Sequence, residues 1–155
     1  MIIWLEKPLI LAIHARQIAE HGGDAALRDE GLLESALARP LQLNAYGDPS
    51  PDIADLAAAL AHGLARNHPF VDGNKRTAHV AYRVFLAVNS VELLATEEDK
   101  YIAMMALAEG KLSERAFAEW LRPRLQLARR NEAHQTLPAY KAKTKRAAKK
   151  AARVP

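Results

Sequence analysis

Apolar residues recur at helical spacing over the first 122 positions, and Gly, Pro and capping residues divide them into six runs. Leu9, Ile10, Ile13 and Ile18 form the first apolar face, behind a Glu6-Lys7-Pro8 start that suits a first helical turn. His14 shares that helix and faces the bundle as a satisfied polar group, and Gly22-Gly23 stops it. Asp29 caps a second helix with Leu32, Leu33, Ala36 and Leu37 inward, which the pattern ends before Pro40. Asn44, Gly47, Pro49, Ser50 and Pro51 make residues 41–51 a loop. Asp52 opens a third, alanine-rich helix through Ile53, Leu56, Leu60 and Leu64. It ends at His68, because Pro69 disfavours helical geometry in the residue before it. A fourth helix runs from about Asn74 to Val88 with Val80, Val84 and Phe85 on its inner side. Thr96 and Asp99 cap a fifth, with Ile102, Met105 and Leu107 as core; Ser113 caps a sixth, with Phe117, Trp120 and Leu121 buried. Strand-like stretches are short, Ile2–Leu5 and Val91–Leu94. The pattern predicts an all-α fold, a compact bundle of about six helices.

Charge changes this picture only at the end. Residues 1–122 carry 12 Lys and Arg against 17 Asp and Glu, net −5; residues 123–155 carry 10 against 1, net +9. The basic balance of the whole chain, +4, therefore belongs to the C-terminus. We read residues 1–125 as one helical domain and 126–155 as a basic extension, disordered or partly helical. Its clustered Lys and Arg allow weak contact with RNA or DNA, without the interleaved aromatics that stack bases. There is no cysteine, which excludes disulfides and thiolate metal sites. The opening residues lack the form of a signal peptide, and no run of 18 apolar residues could span a membrane; the expected setting is the cytoplasm.

The candidate chemistry is concentrated in His68-Pro69-Phe70-Val71-Asp72-Gly73-Asn74-Lys75-Arg76, between the third and fourth helices. The first backbone N–H groups of a helix are unpaired and attract anions. Gly73 lets a phosphate approach the backbone, and Lys75 and Arg76 add positive charge. Asp72 can hold Mg²⁺, which accepts one carboxylate plus phosphate oxygens and water. His68 titrates near neutrality and can take a proton from an incoming hydroxyl. Phe70 plugs the loop into the core. The order of residues differs from the Gly-x-x-x-x-Gly-Lys-Ser/Thr phosphate loop. His62 and His79 lack a histidine or carboxylate four residues on, so they are read as structural rather than as zinc ligands.

This run closely resembles the Fic/Doc signature His-x-Phe-x-Asp/Glu-Gly/Ala-Asn-Gly/Lys-Arg, matched by His68, Phe70, Asp72, Gly73, Asn74, Lys75 and Arg76. Leu11-Ala12-Ile13-His14, Gly22-Gly23 and the stretch Leu27 to Ala36 look like the Doc, or death-on-curing, branch, so the resemblance covers residues 1 to about 122. It implies a Fic/Doc-like fold. It also implies His68 as the base, Asp72 as the Mg²⁺ ligand, and Gly73, Asn74, Lys75 and Arg76 as the ATP phosphate-binding residues. Residues 41–51 would be where the target peptide docks.

Lys75 carries the choice of product. Family members with Gly at this position transfer AMP; the Doc branch has Lys and delivers the γ-phosphate of ATP. The resemblance thus implies a toxin of a type II toxin–antitoxin pair that phosphorylates a threonine of an elongation factor Tu-like translation factor. Pro69 and Gly73 look more like the AMP-transferring branch, which keeps AMP transfer as an alternative. A second alternative is an inactive module that grips nucleic acid through the tail. No Ser or Thr has Glu four residues later, so the self-restraining helix of some relatives is missing and restraint would come from a cognate antitoxin.

Overall fold

A computed structural model describes residues 1–128, so the expectation for the basic tail lies, from residue 129 onward, outside the described residues. Six helices carry the fold: α1 Lys7–His21, α2 Glu30–Tyr46, α3 Ile53–Asn67, α4 Asn74–Val88, α5 Glu97–Ala108 and α6 Glu114–Leu121. Their starts follow from local chemistry. Asp29, Thr96 and Ser113 accept from the backbone N–H of Leu32, Asp99 and Ala116, each at 3.0 Å. Asp52 and Asp55 form a reciprocal capping box, both bonds 2.9 Å. Pro8 occupies the first turn of α1.

α3 is the centre of the bundle, packed on α2, α4, α5 and α6. Leu56 to Ala61 and Gly63 to Ala65 are buried in an unbroken series but for His62, as expected of a helix that is apolar nearly all round. Its alanines permit close crossing. A Cβ on Gly63 would lie 3.1 Å from both Cα and Cβ of Ala36, so α2 and α3 meet backbone to backbone there.

That crossing explains one departure from the sequence pattern. α2 does not end before Pro40 but runs through it to Tyr46, and the loop is only residues 47–52. Pro40 removes the N–H that the Ala36 carbonyl would accept, a loss of about 3 kcal/mol in an isolated helix. Yet Leu33, Ala36 and Pro40 are buried and Leu43 half-buried, so the apolar stripe that holds α2 on α3 continues across the proline.

α5 departs in phase. Ala103, Met104 and Leu107 face inward, whereas Ile102 is 56% exposed and Met105 half-buried. Ile2–Leu5 is not a strand; Ile3 instead exchanges hydrogen bonds with the Asn89 side chain, 2.8 and 2.9 Å. Val91–Leu93 is a strand, β1, and pairs antiparallel with β2, Leu125–Leu127, in the register Val91 to Leu127. Trp4 and Trp120 are half-buried and stack on Phe85 and Phe117. Among the described residues no helix is long and apolar enough to cross a membrane.

Candidate active site

The segment joining α3 to α4, residues 68–73, sits at one end of these two packed helices. It is held there by an unusual amount of backbone pairing. The segment after α1 lies against it: Val71 N–H donates to Ala26 O (3.0 Å), and Arg28 and Asp29 N–H both donate to Pro69 O (2.7 and 3.0 Å). Leu27 and Phe70 form an isolated antiparallel bridge. Gly22 and Gly23 adopt positive φ, 85° and 121°, which turns the chain out of α1 and into this pairing.

Inside the loop, Asn74 is 8% exposed and both ends of its amide are spent. Oδ1 accepts from Phe70 N–H and Nδ2 donates to Phe70 O, each at 2.9 Å. Asn74 can still offer an anion its backbone N–H, and the second Nδ2 hydrogen has only His68 Nδ1, at 3.5 Å, near it. Phe70 is buried and stacked on the His14 ring, centroids 3.7 Å apart and planes within 7°. His14, 2% exposed, bonds through Nε2 to the Asp72 carbonyl at 2.8 Å. The sequence placed His14 inward; its job in the fold is to brace the loop.

His68 follows α3 in a left-handed conformation, φ 51° and ψ 56°, and its side chain is exposed. Its ring meets Asn74 Nδ2 at 3.5 Å from Nδ1, too long to fix a tautomer. Asp72 is exposed, with Oδ2 accepting from Asp24 N–H at 2.8 Å and Oδ1 uncommitted.

Gly73 begins α4 at φ 80° with no side-chain cap, so the first N–H groups of this helix lack acceptors. Lys75 is exposed and pairs with no side chain among the described residues. Arg76 donates Nη2 to Gly22 O (3.2 Å) while its buried Nε has no partner. The six residues singled out in sequence are therefore gathered around the start of α4. Positive charge and unpaired donors collect there, flanked by His68 and Asp72.

Among the described residues no group of three or more His, Asp or Glu converges to hold a metal. A lone carboxylate still fits Mg²⁺, whose remaining ligands are water and phosphate. His79 and His62 stay out of the site. His79 bonds Arg83 Nη1 at 2.9 Å, and burial, then the Arg83 charge, lowers its pKa to about 4. Burial lowers that of His62 as well.

Two features were not foreseen. Residues 41–51 fall at the opposite end of α3, roughly 22 Å away for a 15-residue helix at 1.5 Å per residue. The segment beside His68 is instead 22–29, whose Gly pair and Asp29 the sequence marks as a helix stop, a cap and part of the Doc-like resemblance, with no place beside the loop. Arg28 reaches back to the end of α3, donating Nε to His68 O (2.7 Å) and Nη2 to Asn67 O (3.0 Å).

The Fic/DOC family model matches residues 4–86, which takes in α1 to α3, the whole loop and α4 as far as Leu86. Toxin Doc of Mycolicibacterium smegmatis is 55% identical over 75 residues, 48% of this chain and 57% of that protein. Protein kinase doc of Escherichia phage P1 is 31% identical over 113 residues, 73% of this chain and 88% of its own. The aligned part thus spans a little over half of the first relative and most of the second. On the extent of these matches the chain belongs to the Fic/DOC family.

Proposed function

We propose that this chain is the toxin of a type II toxin–antitoxin pair, a Doc-like kinase that moves the γ-phosphate of ATP to a threonine hydroxyl of an elongation factor Tu-like protein. The observation that carries the reading is the uncapped start of α4, flanked by Lys75 and Arg76 and set beside an exposed His68. The backbone of Gly73 and Asn74, with Lys75 and Arg76, binds the phosphates. His68 removes the proton of the attacking hydroxyl, the new O–P bond forms, and ADP leaves. Asp72 would hold Mg²⁺, which supplies charge neutralisation on the phosphates when bound. The names of the two relatives, a toxin and a protein kinase, support the same assignment.

On this reading residues 1–125 are the catalytic unit, which β2 extends to Leu127, and the basic residues that follow are an accessory extension that contacts RNA or DNA weakly. A cognate antitoxin supplies restraint, and the cytoplasm is the setting. AMP transfer remains the second reading because Pro69 and Gly73 resemble that branch.

One assay separates them. The protein and its His68→Ala variant are incubated with bacterial lysate and Mg-ATP labelled on the γ- or the α-phosphate. A His68-dependent band with the γ label alone is the expected result. A band with the α label makes the protein an AMP transferase. Retained labelling and growth arrest in His68→Ala would remove His68 from the chemistry. Lys75→Gly is expected to change which label is transferred, and an unchanged product would show that Lys75 is not the switch.

A further inference from the structure

His68 has no close side-chain anchor, so its aim has to come from its backbone. That backbone is left-handed at a non-glycine residue, a conformation that persists only where its surroundings impose it. The rotation φ of His68 turns the peptide plane that carries the Asn67 carbonyl, and ψ turns the plane that carries the His68 carbonyl. Both carbonyls accept from one guanidinium: Arg28 Nε to His68 O at 2.7 Å and Nη2 to Asn67 O at 3.0 Å. The next carbonyl, Pro69 O, accepts from the Arg28 and Asp29 N–H groups. Three consecutive carbonyls are thus held from one short stretch of chain. Asn67 O is among the carbonyls that the end of α3 leaves unpaired, and a cation there is favourably placed.

We propose that Arg28 is a positioning residue for His68. Its two-pronged donation sets both backbone angles of His68 and thereby the direction of the imidazole. The proposal rests on the reading of His68 as the base, but its structural half is testable without activity. The planar fork is essential, because a lysine ammonium is a point charge with no fixed pair of donors.

Arg28→Gln and Arg28→Lys are compared with wild type as full-length chains. In NMR spectra, the intraresidue HN–Hα cross-peak and ¹³C shifts that mark a positive φ at His68 are expected to change in both variants. In the γ-label assay, kcat is expected to fall by about 10²-fold, as for other small misplacements of a reacting group, with the KM for ATP within about twofold of wild type.

Unchanged His68 signals in Arg28→Gln overturn the proposal. So does full activity in Arg28→Lys, which would make charge, not the fork, the agent. If Arg28→Gln fails to fold, Arg28→Lys carries both measurements. If His68→Ala labels as fast as wild type, the base reading fails, while the NMR result still decides whether Arg28 sets the His68 backbone.

Discussion

Replacing Asn74 with alanine separates two jobs that one side chain could have in this loop. The resemblance assigns it to phosphate binding, yet both its polar atoms are used on Phe70, at 2.9 Å to N–H and 2.9 Å to O. These groups lie in a buried stretch where water does not replace a lost partner, since Phe70 is 1% and Asn74 8% exposed. A buried donor or acceptor left unpaired costs about 1–3 kcal/mol. Two such groups put the loss in Asn74→Ala at about 2–6 kcal/mol. For a chain of this size that lowers the melting temperature by about 6–18 °C. Asn74→Asp keeps the acceptor for Phe70 N–H but sets an oxygen against Phe70 O, so it rescues less than half of the loss.

Urea titration followed by circular dichroism measures the stability, and ATP binding is read separately by calorimetry. A stability change under 1 kcal/mol with ATP affinity reduced tenfold or more would refute the bracing role and return the side chain to the ligand. A large loss of stability with near-normal affinity in the remaining folded protein is the expected pair of results.

Other consequences are more local. On acidification the unfolded chain protonates His79 near its ordinary pKa of 6.5, whereas the folded chain resists until about 4. The unfolded state therefore binds more protons across that window. Stability should fall as pH drops from 6.5 to 4, by up to about 3 kcal/mol, and the slope should flatten in His79→Gln, as measured by urea titration at each pH. His62, shifted in the same direction by burial, keeps part of the slope in that variant. Gly63→Val sets a branched side chain where even a Cβ would lie 3.1 Å from the Ala36 backbone. Forcing α2 away from α3 should cost about 1–3 kcal/mol, seen as a lower thermal midpoint with α-helical content unchanged.

The fold was legible wherever a local signal sets a local outcome. Asp29, Asp52, Thr96 and Ser113 cap helices because a short oxygen-bearing side chain meets a free N–H three residues on, and that depends on nothing distant. Pro40 misled because the helix it interrupts is held by contacts with α3, which no local rule contains. In α5 the seven residues Ile102 to Ala108 are all apolar, so the run has no phase and cannot say that Ala103, Met104 and Leu107 turn inward. The partner of β1 was missed because three residues of alternation are too few to read. At the candidate site the motif residues were all legible, since they are consecutive. Their bracing was not. His14 reaches Asp72 and Arg28 reaches His68 across 58 and 40 positions.

The way polar groups are used also divides the molecule. Away from the loop, caps close the starts of α2, α3, α5 and α6, and Arg122, just after α6, pairs with Asp52 and Asp55 at the start of α3; the few buried atoms left unpaired there, His62 Nδ1, His79 Nδ1 and Tyr82 Oη among them, sit within the bundle. In the loop the frame is over-supported, with His14, Asn74, Arg28 and residues 24–29 all holding backbone. The groups at its mouth are left without partners. α4 begins uncapped, Arg76 Nε is buried and unpaired, and Lys75 stands in solvent. An unpaired buried donor costs about 1–3 kcal/mol, and concentrated like charge adds to it. A capping Asp or Ser is disfavoured at Gly73, where φ is 80° and a Cβ would lie 3.2 Å from Ile18 Cδ1, so the start of α4 stays open. A stiff frame around unsatisfied donors suits an anionic ligand, because the cost is already present before binding and is relieved when phosphate oxygens arrive.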